Sequence, residues 1–203
     1  MELQINTSKT YRDIDSSRRI CILQGGTRSG KSYSALQWIL VKALSEWNVV
    51  ISVVRKSFPS MRVSIMRDWI GILKDLGIWD EDRWSATEHI YTFENGTIVE
   101  FMSIDNAEKR KGSARDYLFV DECNELSRED WFQLFIRTRK KSIIAYNPSF
   151  GTNHYIFNEI HTHPEADMYI STYKDNPYLE NQIVEEIERL KDINPEYLSL
   201  IHI

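Results

Sequence analysis

Gly25-Gly26-Thr27-Arg28-Ser29-Gly30-Lys31-Ser32 decides the reading of this chain. The stretch satisfies G-x-x-x-x-G-K-[S/T] in full, and its flanks suit the mechanics of that pattern. Glycine is scarce, eight in 203 residues, yet three of the eight fall within six positions here. Such a concentration needs a backbone reason, either close approach to a ligand or positive φ. Ahead of it, Arg19 to Leu23 reads as a short buried strand. Behind it, Leu36, Ile39, Leu40, Ala43, Leu44 and Trp47 recur at helical spacing, which predicts an amphipathic helix. A strand, a glycine loop and a helix start together make a phosphate cradle. Backbone N–H groups from Gly25 to Ser32 surround the phosphate oxygens, Lys31 neutralises β/γ charge, and the Ser32 hydroxyl ligates Mg²⁺.

Working outward, Val49 to Val54 is β-branched and continuous, the pattern of a parallel strand buried on both faces. Ser60 to Leu76 reads as helix with a less clean period. His89–Phe93 and Thr97–Ser103 read as strands joined through Glu94-Asn95-Gly96, with Asn-Gly as the turn. Tyr117–Val120, Ser142–Tyr146 and Met168–Thr172 are further strands. Ser127 is placed to cap a helix running to about Thr138, and Leu179, Ile183, Val184, Ile187 and Leu190 line a later helix. Strands alternating with helices predict an α/β fold, a mostly parallel sheet with helices on both faces.

Composition agrees. The chain is 42% hydrophobic and 27% charged, which excludes a disordered or fibrous polymer, and at this length a full core is available. There is no apolar run of 18 residues and no basic-apolar leader, so neither a membrane span nor a signal peptide is expected. Two cysteines are too few for a disulfide framework and suggest a reducing compartment. The net charge of −5 leaves room only for a local nucleic-acid patch.

A phosphate loop needs a second carboxylate for the metal. Asp121 ends four apolar residues, as a metal-positioning aspartate should, and Glu122 follows where a carboxylate can orient or deprotonate the attacking water. The adjacent glutamate points to the ATPase branch with an additional sheet strand. The D-x-x-G and N-K-x-D patterns of GTPases are missing. ATP and Mg²⁺ are therefore the expected ligands. Aiming both carboxylates at the γ-phosphate is expected to place the Tyr117–Val120 strand beside the phosphate-loop strand.

The series of motifs resembles the N-terminal motor of tailed-phage terminase large subunits, over about residues 11 to 190. It comprises the Gly25–Ser32 loop, Val54-Arg55-Lys56, Arg110-Lys111-Gly112, Phe119-Val120-Asp121-Glu122-Cys123-Asn124-Glu125-Leu126, Tyr146-Asn147-Pro148 and Asp175-Asn176-Pro177-Tyr178-Leu179. Cys123 stands where the family more often has alanine. The resemblance implies a P-loop NTPase of the additional-strand, RecA-like class that hydrolyses ATP to drive double-stranded DNA into a procapsid. It implies portal protein and the terminase small subunit as partners, a monomer in isolation and a homo-oligomeric ring on the procapsid, in the cytoplasm of the bacterial host. Asn147 becomes the residue that senses the γ-phosphate and couples hydrolysis to movement. Arg28, in cis, and Arg110, toward a neighbouring subunit, compete as the arginine finger. Residues 1–193 are read as the ATPase domain. Asn194-Pro195 and the apolar residues after it suggest the start of a further segment whose nuclease half is absent, so no nuclease activity is expected. Two other readings stay open, a helicase-like ATPase of the same branch and a nucleotide-binding docking module with little turnover.

Remaining candidates carry less chemistry. Arg137-Thr138-Arg139-Lys140-Lys141 reads as positive charge at a helix end, with contacts to DNA phosphates or a neighbouring subunit as the alternative. His161 and His163 read as solvated loop residues, and Cys21 and Cys123 as small buried apolar groups. Arg12 and Gln24 are candidates for the adenine or ribose, and one aromatic for stacking on the base.

Overall fold

The structure, a computed structural model, describes residues 7–104, 113–148 and 153–193. Arg110 and the segment 194–203 lie outside the described residues. The elements in chain order are α1 (Lys9–Ser16), β1 (Ile20–Gly25), α2 (Lys31–Ser45), β2 (Val50–Arg55), α3 (Phe58–Met61), a π-helical turn (Arg62–Met66), α4 (Arg67–Asp75), β3 (Trp84–Ser85), β4 (Ile90–Thr92), β5 (Ile98–Ser103), β6 (Arg115–Asp121), α5 (Arg128–Phe135), β7 (Thr138–Tyr146), a second π turn (Ile156–Ile160), β8 (Ala166–Ser171) and α6 (Asn181–Ile193). Among the described residues eight strands form one sheet, in the order β3-β4-β5-β2-β6-β7-β1-β8. β3, β4 and β5 are antiparallel neighbours at one end, and every other pairing is parallel.

Alternation within the buried strands assigns each residue to a face. Cys21, Leu23, Ile51, Val53, Phe119, Ile143 and Ala145 pack with Ile14 of α1, the inner side of α2, and Met61, Ile65 and Trp69. Ile20, Ile22, Val54, Val120, Ile144 and Tyr146 pack with Trp131 and Leu134 of α5 and with Ile156 and Ile160. Both faces of each strand are therefore dry, which is why these strands read as unbroken apolar runs. Helices cover both faces, as the sequence predicts.

Four elements differ from expectation. The Asp-Glu strand does not lie beside the phosphate-loop strand: β7 is inserted between β6 and β1, pairing Val120 with Ile144 on one side and Ile22 with Ile144 on the other. This inserted strand is the additional strand that the adjacent glutamate implied. α5 begins at its Ser127 cap, whose hydroxyl accepts from Asp130 N, but stops at Phe135 rather than near Thr138. The Thr138 hydroxyl and Arg137 guanidinium donate to the Leu134 and Gln133 carbonyls, and the chain turns directly into β7. The basic cluster is therefore largely the start of a strand. Arg139 pairs with Asp116, Lys140 with Glu46 at 2.5 Å, and Lys141 donates to the carbonyls of Ile14 and Ser17, so these cations are engaged within the molecule.

The helix over 58–75 contains a five-residue π turn, whose extra residue shifts the phase of its apolar stripe and blurs the period. At the end of α2, Leu44 and Trp47 leave the core, Trp47 being 75% exposed. The Asn95-Gly96 turn forms as read, and the Asn95 amide donates to the carbonyls of Ala43 and Glu46, closing the end of α2.

Candidate active site

The C-terminal tips of β1, β2, β6 and β7 converge on a cavity of about 370 Å³. Its lining includes Gly26 to Tyr33, Arg55, Asp121, Glu122, Asn147 and Asn176. Gly30 has φ +80° and stands at the cap position of α2, with no side chain capping the helix and no acidic residue in its first turn. The positive end of a 15-residue helix is thus left uncompensated and directed at the cavity. Arg28 adopts φ +67°, unusual for a side-chain-bearing residue, and its side chain is exposed at the mouth.

The Lys31 ammonium is held inside the loop. It donates to the Gly25 carbonyl at 2.7 Å, the Gly26 carbonyl at 2.9 Å and Ser29 Oγ at 3.0 Å. Burial lowers its pKa to about 8, against the opposing pull of Asp121 and Glu122. The Ser32 hydroxyl donates to Asp121 Oδ1 at 2.6 Å across the width of β7. Asp121 is buried, and burial raises its carboxyl above the usual range, only partly offset by the Ser32 hydrogen bond and the Arg55 charge. Ser32 and Asp121 thus bring two hard oxygen donors together beside the phosphate loop, a donor set that fits Mg²⁺.

Glu122 is half-exposed and left-handed, φ +53°. Its carboxylate is ion-paired with Arg55, whose Nε also stands 3.6 Å from Asp121 Oδ2. Register explains the grouping. Val54 pairs with Val120, so the next residue of each strand, Arg55 and Asp121, emerges side by side. Arg55 is further held by the Ser60 carbonyl at 3.1 Å and by the Ser64 hydroxyl, which the π turn brings inward.

The phosphate-loop residues, Asp121, Glu122 and Asn147 are thus brought together. Arg28 reaches the same cavity. Gln24 does not: it is buried, its Oε1 accepting from the Tyr146 hydroxyl at 2.6 Å. Arg12 lies on α1 and donates to the Thr7 carbonyl, while Tyr33 and Tyr146 are aromatics that line the cavity. His161 is half-buried rather than solvated, its Nε2 on the Tyr146 hydroxyl at 2.8 Å. Cys21 and Cys123 are buried, and burial pushes both thiols up to about 12. Sequence reasoning gave no role to Arg55 or Asn176, although both fall in quoted motifs. Arg55 ends a largely apolar strand, but Lys56 beside it is an equal candidate, so the sequence does not single it out.

Comparison with known proteins agrees with this fold. Residues 17–201 match the model of the family described as phage terminase large subunit. The PBSX phage terminase large subunit of Bacillus subtilis (strain 168) is 25% identical over 200 residues, covering 86% of this chain and 46% of that protein. The chain thus spans about half the length of that curated relative. The large terminase of a thermophilic bacteriophage superposes with a TM-score of 0.80 at 15% identity, covering 98% of this chain and 53% of that one. The same protein in complex with ATP-gamma-S gives 0.72 at 16% identity, with 98% and 52% covered. The large terminase ATPase domain of Thermus phage P74-26 gives 0.73 at 13% identity, covering 98% and 94%. The sheet with its inserted strand is therefore the P-loop fold of these ATPase domains, and the chain belongs to the phage terminase large subunit family.

Proposed function

We propose that this chain binds and hydrolyses ATP, and that hydrolysis drives double-stranded DNA into a viral procapsid. The observation that carries the reading is the convergence of Lys31, Ser32, Asp121 and Glu122 on one cavity, against an uncapped helix start. A relative of the same fold has been crystallised with ATP-gamma-S, which supports the choice of nucleotide. The loop N–H groups and Lys31 receive the β- and γ-phosphates. Ser32 and Asp121 would hold Mg²⁺, which supplies charge neutralisation on the phosphate oxygens. Glu122, once turned from Arg55 toward the γ-phosphate, accepts the proton of the attacking water as its oxygen bonds to phosphorus and the bond to ADP breaks. Arg28, in cis, offers a second cation to the transferring group. Arg110 keeps the same role toward a neighbouring subunit, and Asn147, one residue past β7, reports loss of the γ-phosphate to the rest of the chain.

DNA, portal protein and the terminase small subunit are the proposed partners. The assembly is a ring on the procapsid and a monomer in isolation, in the bacterial cytoplasm. These residues are expected to cut no DNA, and nicking of plasmid by the pure chain with Mg²⁺ or Mn²⁺ would contradict that. The central test is steady-state ATP hydrolysis by the chain and its Glu122→Gln variant, alone and with procapsids. Turnover lower by about 10²–10⁴-fold at near-parent affinity is expected. A parent that binds ATP yet turns it over no faster than Glu122→Gln is a docking module instead.

A further inference from the structure

The turn joining β8 to α6 is bound to the phosphate loop at several points. Gly25 packs so closely on β8 that a Cβ there would lie 2.3 Å from the Ser171 carbonyl oxygen. Five residues on, Asn176 Nδ2 donates to the Arg28 carbonyl at 2.9 Å. The same side chain lies against Gly30, 3.2 Å from the position a Cβ would take. The Tyr178 hydroxyl accepts from Gln37 of α2 at 3.2 Å, and its ring is 5.1 Å from that of Tyr33.

The turn is itself well fixed. Thr172 and Asp175 form a reciprocal capping box, with Thr172 N donating to Asp175 Oδ2 at 2.8 Å. Asn176 Oδ1 accepts from Tyr178 N at 3.1 Å. Asn176 thus uses its amide in two directions: the oxygen builds its own turn, and the nitrogen reaches out to the phosphate loop. The contact it makes there is at the loop's most constrained residue. Arg28 is left-handed without being glycine, a conformation that persists only where its surroundings dictate it. Left-handed residues in such a loop turn successive N–H groups to one side, which is what an anion cradle requires.

We propose that Asn176 is a positioning residue of the phosphate loop: its amide clamps the Arg28 carbonyl and holds the loop in the shape that receives a polyphosphate. This rests on the reading of the loop as a nucleotide site. A clamp of this kind acts on the phosphates from the ground state onward, so its loss reads first as weaker binding.

The test is titration of the chain with ATP and with inorganic tripolyphosphate, both with Mg²⁺, for the parent, Asn176→Ala, Asn176→Ser and Lys31→Ala. Serine keeps a short acceptor for Tyr178 N but cannot span to Arg28. Both Asn176 variants are expected to lose about 5- to 15-fold in affinity, equally for the two ligands, as one net hydrogen bond implies. The unfolding midpoint of Asn176→Ser without ligand should stay within about 2 °C of the parent, since only the exposed contact to Arg28 is lost. Parent affinity in Asn176→Ser would overturn the clamp and leave only the turn. So would a loss confined to ATP, which would place Asn176 on the base or ribose. If the parent binds neither ligand, and Lys31→Ala matches it, the nucleotide reading falls and the clamp with it. A clamp that fails alone leaves parent and Lys31→Ala well separated.

Discussion

Replacing Lys31 with methionine is expected to stabilise the protein in the absence of added nucleotide. The reason lies in the pKa lowered from 10.5 to about 8. A depressed folded-state pKa means that this lysine adds stability only above its unfolded value, and that the contribution is lost as pH falls through about 8. At pH 7 the charged amine is therefore a net liability, worth about 3 kcal/mol for a shift of that size. Methionine removes the charge but also forfeits the hydrogen bonds to Gly25, Gly26 and Ser29, of which about 1 kcal/mol is not already contained in the shift. The net gain at pH 7 is roughly 2 kcal/mol, or about 4–8 °C in the unfolding midpoint for a chain of this size. The assay is urea and thermal unfolding of parent and Lys31→Met side by side at pH 7 and pH 10. Raising the pH discharges the lysine in the folded state, so the advantage should shrink by about 2 kcal/mol and approach zero at pH 10. A variant less stable than the parent at pH 7, or a difference that does not move with pH, would refute the reasoning. ATP should stabilise the parent and leave Lys31→Met unmoved.

Arg55→Met should lower stability by about 1–3 kcal/mol in urea unfolding, because the buried Asp121 and the half-exposed Glu122 then lose the cation they share. It should also push the Asp121 carboxyl further up, so that Mg²⁺-dependent nucleotide affinity is weaker at pH 6 than at pH 8 by more than in the parent. Gly25→Ala should cost about 1–3 kcal/mol by thermal unfolding, since its Cβ meets Ser171 backbone and β1 must part from β8. Trp69→Ala, fully buried between α4 and the sheet, should cost about 3–5 kcal/mol in the same assay while sparing the loop geometry.

Much of the fold was legible because its signals are local. The glycine loop, the helix after it, the Asn95-Gly96 turn and the Ser127 cap each depend on residues within a few positions of one another. What escaped was long-range or depended on one side chain. Nothing in β7 announces that it wedges between β1 and β6, because strand order follows from which apolar faces meet. The end of α5 turns on two donations, from Thr138 and Arg137, that a helix period cannot foresee. Within the site, Asp121 and Glu122 were readable from their place after an apolar run. Arg55 was not, since its role exists only when Val54 and Val120 are in register.

Arg55 also sets part of the charge that a nucleotide entering the proposed site would meet. Among the described residues, the charged side chains that line the cavity are Arg28, Lys31 and Arg55 against Asp68, Asp121 and Glu122, three formal charges of each sign. The side-chain charges at the mouth therefore cancel, leaving the short-ranged positive end of α2 as the local attraction, while the whole chain carries −5. A nucleotide polyanion approaching the proposed site would not be drawn in from a distance; it would meet mild repulsion until within contact of the loop. Its association rate should rise slightly as salt screens that repulsion, the reverse of a steered encounter. At the proposed site capture would happen at close range, with the phosphates displacing the carbonyls around Lys31, and selectivity for polyphosphate over other anions would be decided by fit rather than by attraction.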